Sequence, residues 1–357
     1  MSGHSELIAA IRETIGARGP ITFAAFMELA LYHPEHGYYR SRCARIGRRG
    51  DYFTNVSVGP LFGRFMAAQF AEMFERLGRP ADFTIVEEGA HRGDFARDVL
   101  ESGAPLPTRY IAVERAVSSE RDERITWRRS LDEVEPFCGV HFSNELIDSF
   151  PVHLVRWTGS EWLERHVALE KQAFDFVDMP LSNQELAAAV DKIPLPLPVG
   201  YETEVNLAAL RWIERVAEKL RRGYVIAVDF GFLREEFYAP HRTTGTLQAR
   251  LQHKRLPDPL SHVGEADVTA HVEWTSVMEH AQANGLELLG FTDQHHFLTG
   301  LLTEAIAADR ASARALQTLL HPSMMGMQFQ FLVLGKGVPT APPLSGLRFA
   351  RSASRLW

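Results

Sequence analysis

The sequence predicts an α/β fold around a mostly parallel sheet, and four stretches predict it. The apolar run Phe83 to Val86 is followed by Gly89 and Gly93, then by a helical pattern with Phe95, Val99 and Leu100 on one side. A strand that turns through glycines into a helix exposes backbone N–H groups where nucleotide-like ligands sit. A second run, Tyr110 to Val113, ends in Glu114, about two dozen residues on, the distance at which an acid grips a ribose in nucleotide-binding α/β folds. Two further strand-like runs, Val140 to Ser143 and Tyr224 to Val228, end in Asn144, Glu145 and Asp229, on the side where open parallel sheets bind ligands. Spacing alone leaves a nucleotide site and a plain strand-turn-helix both open, because His91 stands between Gly89 and Gly93 where the fingerprint G-x-G-x-x-G has its middle glycine.

In chain order, Ser5 to Ala17 carries Leu7, Ile8, Ile11 and Ile15 at helical spacing, with Ser5 as candidate cap. Thr22 caps a second helix with Phe23, Phe26, Met27, Ala30 and Leu31, and a glycine-containing basic loop runs to Gly50. A helix from about Pro60 to Leu77 shows a core stripe of Leu61, Phe65, Met66, Phe70, Met73 and Phe74. Residues 1–80 therefore read as a helical N-terminal cap, and residues 81–338 as the α/β domain. Period-two alternation from Val152 to Met179 marks an inserted antiparallel β and helical region at about 152–200. Asn206 to Arg222 is an amphipathic helix closed by Gly223. Residues 237–270, polar and short of regular pattern, read as a lid. Met327 to Lys336 is the last strand, and 339–357 a poorly ordered tail.

A net charge of -7 argues against a nucleic-acid partner. Two cysteines, Cys43 and Cys138, make neither a disulfide framework nor a cysteine metal cluster, which points to a reducing cytoplasm. The longest apolar runs fall short of the ~20 residues of a membrane span, so no membrane insertion is expected, and the first residues lack the layout of a signal peptide.

Several strings resemble one family. Phe26-Met with Ala30-Leu-Tyr-His-Pro-Glu-His-Gly-Tyr-Tyr39, Gly50-Asp-Tyr-Phe-Thr54 and Leu61-Phe-Gly63 match its N-terminal signature. Ser143-Asn-Glu-Leu-Ile-Asp148, Pro151-Val-His153 and Val228-Asp-Phe-Gly231 match its central motifs, and Gly245-Thr-Leu247, Asp258-Pro-Leu260 and Gly264 to Val272 its C-terminal ones. The chain resembles the MidA-like class I S-adenosylmethionine-dependent methyltransferases, which include the mitochondrial complex I assembly factor that methylates an arginine. The resemblance implies a Rossmann-like seven-stranded sheet with an antiparallel last strand, and S-adenosyl-L-methionine as cofactor. It also implies a methyl acceptor that is either a protein, such as a respiratory-complex subunit, or a small molecule. Family members usually carry a glycine where this chain has His91 and a small neutral residue where it has Asp94.

Methyl transfer from a sulfonium is an in-line displacement that requires positioning and water exclusion rather than a metal. On this reading Glu87, Gly89, His91, Gly93 and Asn144 line the cofactor, and Glu114 takes the ribose hydroxyls. Glu145, Asp148 and Asp229 face the acceptor; if that is an arginine, a carboxylate orients the guanidinium and takes its proton. Gly50, Asp51 and Thr54 belong to a closing loop, and Glu265, Asp267 and His271 to a second polar cluster with no zinc spacing, so no metal is expected. Competing readings are a small-metabolite methyltransferase, a non-catalytic assembly scaffold prompted by His91, and a nicotinamide oxidoreductase, which the lack of the three-glycine fingerprint disfavours. A homodimer is compatible with the sequence.

Overall fold

The computed structural model describes residues 2–40, 54–106, 109–116, 122–252, 254–303 and 312–350. The chain divides into two compact units, each assembled from discontinuous stretches. One comprises Met1–Phe53, Ile147–Arg211 and Phe232–Thr275; the other comprises Thr54–Leu146, Trp212–Gly231 and Ser276–Trp357.

The second unit carries the large sheet. Its strands are β1 (Phe83–Glu88), β2 (Tyr110–Val113), β3 (Ile125–Arg128), β4 (Phe137–Asn144), β5 (Leu220–Phe232), β6 (Glu287–Asp293) and β7 (Phe329–Lys336). Along the main path they lie in the order β6-β7-β5-β4-β1-β2-β3. The pairs β5–β4, β4–β1, β1–β2 and β2–β3 are parallel. The last strand, β7, runs antiparallel to both β5 and β6. Chain order reverses between β1 and β4, so the carboxyl ends of these two strands flank the crevice at the topological switch point.

β1 and β4 are buried along nearly their whole length and β5 from Gly223 to Asp229, as expected of strands covered on both faces. The helix Leu61–Arg76 buries Leu61, Phe62, Phe65, Met66, Phe70 and Met73. Phe62 and Phe70 meet Phe95 and Phe142, whose rings stack at 4.4 Å. Gly63 lets this helix approach the helix Asp94–Leu100: a Cβ at Gly63 would lie 2.4 Å from Asp98 Cβ. The helix before β5 ends at Lys219 rather than at Arg222, because β5 begins at Leu220, which is fully buried.

The first unit builds its own core. Leu7, Ile11 and Ile15 of the helix Ser5–Arg18 pack with Phe23, Phe26, Met27 and Leu31 of the helix Phe23–Tyr32. Thr22 Oγ1 caps the second helix through Ala25 N–H, as expected, whereas His4, not Ser5, holds the cap position of the first and makes no side-chain cap bond. These helices pack on the inserted antiparallel strands His153–Trp157, Trp162–Glu170, Ala173–Met179 and Glu202–Val205, through Val152, Val167 and Phe174.

Three boundary expectations are corrected. The span 1–80 is not one cap: its first part belongs with the inserted strands and Leu61–Arg76 with the large sheet. The span 237–270 is not an irregular lid. It holds a three-stranded antiparallel sheet, Lys254–Leu256, Gln248–Leu251 and Asp267–Thr269, and contributes Ala249, Leu260, Val263, Val268 and Ala270 to the core. Small apolar residues scattered among polar ones hid this pattern. The tail is ordered at least to Leu347. Leu344 and Leu347 are buried, Ser345 N–H donates to Glu72 and Gly346 N–H to Gln69.

Candidate active site

The turn after β1 is shaped by three left-handed residues: Gly89 (φ 80°), His91 (φ 47°) and Gly93 (φ 75°). A Cβ on Gly89 would come 3.2 Å from Leu146 Cδ1, and one on Gly93 3.0 Å from Trp127 Cζ2. Both glycines are therefore favoured by their left-handed conformation, and the space beside each is tight. Gly93 holds the N-cap position of Asp94–Leu100. Histidine is among the few residues that tolerate the left-handed region, which is how His91 sits at φ 47° between the two glycines. Burial, and then the neighbouring Arg92, push the His91 imidazole below its ordinary pKa, so the ring is neutral near pH 7. Asp94 points away: it is exposed and paired with Arg97.

Glu114, at the end of β2, accepts the His91 N–H at 2.9 Å through one oxygen and the Ala116 N–H at 3.0 Å through the other. Both oxygens are fixed, and each carboxylate oxygen has a further lone pair for a hydroxyl. Burial raises its pKa, with the two backbone donors opposing. Glu87 plays a different part. It is buried within β1, accepts the Tyr110 hydroxyl at 2.9 Å, and is pushed up to about 8 by burial, so it is largely protonated at neutral pH. It supports the turn rather than presenting a charge.

The turn after β4 gathers the polar strand-end residues. Glu145 is also left-handed (φ 53°), with its N–H on Val228 C=O at 2.9 Å. Its Oε1 accepts from Asn55 N–H at 3.1 Å and from Asn144 Nδ2 at 3.0 Å, while Asn55 Nδ2 donates to Asn144 Oδ1 at 3.0 Å. Asp229, fully buried at the end of β5, accepts Leu146 N–H at 3.2 Å and Phe230 N–H at 2.9 Å. Asp229 therefore ties down the backbone that carries Glu145.

Asn55 is the residue that sequence reasoning missed. Its side chain is fully buried and its Oδ1 finds no partner among the described residues. It lies ninety positions from Glu145, and only its place beside Thr54 hinted at the site. Trp127, under Gly93, was missed likewise.

The other expected site residues divide. Thr54 is buried and pairs with Ser57 at 2.8 Å, closing the 3-10 turn Val56–Val58, so in the described structure it acts locally. Gly50 and Asp51 lie outside the described residues. Asp148 belongs to the other unit, in the short turn Ile147–Ser149, and its C=O accepts Ala270 N–H at 2.9 Å. Glu265, Asp267 and His271 do not make the expected cluster but turn to three different partners. Glu265 lies 3.5 Å from His262, Asp267 accepts the Tyr39 hydroxyl at 3.0 Å, and His271 donates its N–H to Thr246 and rests on Phe232. Burial, then Arg242 and Arg250, lower the His271 imidazole to about 4.

The strand order, the antiparallel last strand and the glycine turn with an acid at the end of the next strand define a class I S-adenosylmethionine-dependent methyltransferase fold. The residues fit that cofactor. A Cβ would fill the cradle at Gly89 and Gly93, the neutral His91 adds no positive charge beside a sulfonium, and Glu114 is preset for paired hydroxyls. The model of a family described as "Putative S-adenosyl-L-methionine-dependent methyltransferase" matches residues 65–292, and the chain belongs to this family. A Burkholderia thailandensis protein, described as a "likely methyl transferase" and crystallised bound to S-adenosyl-homocysteine, superimposes with a TM-score of 0.86. It shares 30% identity, over 98% of this chain and 96% of that one. The mitochondrial "Protein arginine methyltransferase NDUFAF7 homolog" of Drosophila melanogaster is 27% identical over 95% of this chain and 87% of its own length. The mitochondrial protein arginine methyltransferase NDUFAF7 of Homo sapiens is 24% identical over 90% and 81%. The chain is thus a methyltransferase that uses S-adenosyl-L-methionine, and the oxidoreductase reading falls. No described helix is long and apolar enough to cross a membrane.

Proposed function

We propose that the protein methylates the guanidinium of an arginine in a protein substrate, with Glu145 as the group that receives the acceptor. The supporting observation is the strained, cross-braced carboxylate itself. A left-handed glutamate costs roughly 1–3 kcal/mol of backbone strain, yet Asn55, Asn144 and Val228 hold it there at the switch point of the sheet. A carboxylate matches the planar donor fork of an arginine. Relatives covering nearly the whole chain are named protein arginine methyltransferases.

S-adenosyl-L-methionine supplies an electrophilic methyl group on sulfonium. The protein's part is to hold a guanidinium nitrogen where it could attack that methyl, exclude water, and accept the proton released as the N–C bond would form and the S–C bond break, leaving S-adenosyl-homocysteine. Glu145 orients the guanidinium and takes the proton, and Asp229 holds the Glu145 turn. A respiratory-complex subunit is the first acceptor to test, in line with the family resemblance. The cytoplasmic setting belongs to this proposal too. Cys138 is a free buried thiol, consistent with a reducing compartment, while the relatives cited above are named as mitochondrial.

The test supplies methyl-labelled cofactor and candidate arginine-bearing proteins, with mass spectrometry of the labelled product. Methylarginine formed by the wild type and not by Glu145→Gln supports the proposal. Label recovered solely in small molecules would transfer the reading to a metabolite acceptor. Calorimetric titration with S-adenosyl-L-methionine and S-adenosyl-homocysteine, with NAD as control, checks the cofactor site independently.

A further inference from the structure

Away from the glycine turn, the first unit brings together two histidines and a glutamate that the methyl-transfer chemistry does not use. His4 stands at the start of the helix Ser5–Arg18, Glu6 in its first turn, and His36 in the turn after the helix Phe23–Tyr32. His4 Nδ1 lies 3.6 Å from Glu6 Oε2, and His36 Nδ1 lies 3.9 Å from the same oxygen. The three donor atoms fall within 4.8 Å of one another. The imidazoles stack with centroids 4.4 Å apart, and the Nδ1 of each is the ring atom nearest the same Glu6 oxygen. None of these separations is a hydrogen bond. His4 Nδ1 is also enclosed, with no partner among the described residues.

The backbone around the triad is fixed from three directions. His4 N–H donates to Val263 C=O at 2.8 Å, and Val263 N–H to Ser2 C=O at 3.2 Å. His36 N–H donates to His33 Nδ1 at 3.2 Å, and Tyr38 N–H to Ala30 C=O at 3.0 Å. Gly264 closes the third side. A Cβ there would lie 2.7 Å from His36 C=O and 3.4 Å from His4 Cβ, so only a glycine lets the segments meet. The backbone that carries the two histidines is therefore brought together by the fold, with Glu6 reaching them from the exposed first turn of the helix.

We propose that His4 Nδ1, Glu6 and His36 Nδ1 form a binding site for a divalent first-row transition metal ion, with open positions for water. Imidazole and carboxylate are the ligands such ions take, at about 2.0–2.2 Å. Tetrahedral donors at that bond length lie about 3.3–3.5 Å apart, so the carboxylate oxygen at 3.6 and 3.9 Å moves inward slightly and the stacked rings rotate to turn their in-plane lone pairs onto one ion. A bound ion satisfies the enclosed His4 nitrogen and removes the need for two imidazoles to share one acceptor. It also joins the start of the first helix to the turn that follows the second. The site escapes spacing rules because His4 and His36 come from different elements.

The test uses the full-length protein, stripped with chelator and titrated with zinc alone against a chromophoric competitor. The variants are His4→Ala, His36→Ala and Glu6→Gln, with His241→Ala, an exposed histidine elsewhere, as control. The expected result is one zinc bound by wild type and control, about tenfold or more weaker in each of the three ligand variants, with a zinc-dependent rise in melting temperature that those variants lose. Copper(II) bound to the wild type should show hyperfine coupling to two imidazole nitrogens, a readout that needs no variant to fold. Zinc affinity unchanged in the ligand variants, no zinc bound by the wild type, or copper without imidazole coupling would each overturn the site.

Discussion

Two turns leave the same edge of the sheet and solve different problems. After β1 the chain uses glycines at 89 and 93, and what it exposes is backbone. After β4 it uses no glycine; it forces Glu145 into the same left-handed region and braces the side chain with Asn55 and Asn144. The first turn makes room for a ligand that must approach main chain. The second holds one carboxylate in one place at a cost in strain, and strain retained at a ligand-binding edge points to chemistry. The comparison separates binding from turnover.

The largest expected effect falls on the second turn. Glu145→Gln keeps the shape and the Asn55 N–H contact but cannot take a proton. Turnover should fall by about 10²–10⁴-fold, the usual worth of a positioned general base. Cofactor affinity by calorimetry should hold. Equal loss of both would mean that Glu145 is a cofactor ligand and that the division between the turns is wrong.

Next comes a pH effect centred on the first turn. Glu87 ionises near 4.5 in an unfolded chain and at about 8 when buried in β1. Between those values the folded state holds a proton that the unfolded state has released, so stability is full below about 4.5 and declines as pH rises through about 8. The decline is on the order of a few kcal/mol. Chemical denaturation at about pH 6 and about pH 8 should show it in the wild type and much less in Glu87→Gln, which imitates the neutral acid. Matching declines in the two proteins would place the cause elsewhere.

Glu114→Ala removes the acceptor that orders His91 and Ala116 N–H and the expected ribose contact. Loss of about 1.5–3 kcal/mol, the worth of hydrogen bonds to a charged group, corresponds to roughly 10–100-fold weaker cofactor binding. Turnover at saturating cofactor should change far less than in Glu145→Gln. A variant that binds as tightly as the wild type would remove Glu114 from the site.

Much of this edge was legible because strands and their polar ends are local signals. Phe83 to Val86 and Tyr110 to Val113 read as strands from apolar runs, and the acids beyond them follow from chain direction. Glu87 shows the limit. Its identity suggested a charge near the cofactor, and only the three-dimensional setting shows it buried on Tyr110. Asn55 and Trp127 were illegible because their roles come from contacts across dozens of residues. The same holds for 237–270, where short strands with alanines and valines carry too few apolar positions to show a period, yet pack on helices from the chain's beginning.

The smallest expected effect is the sharpest test of the first turn. His91 sits at φ 47°, where glycine has no penalty, and its N–H, not its ring, is the group seen to bond Glu114. His91→Gly should therefore leave the hydrogen bond in place, relieve strain of about 1 kcal/mol, and return part of that gain as unfolded-chain entropy. Net stability should shift by less than about 1 kcal/mol, and cofactor affinity by less than about tenfold. A larger gain in affinity would mean that the imidazole obstructs the cofactor. A larger loss would make the ring itself a ligand, and the first turn would then work by side chain, as the second does.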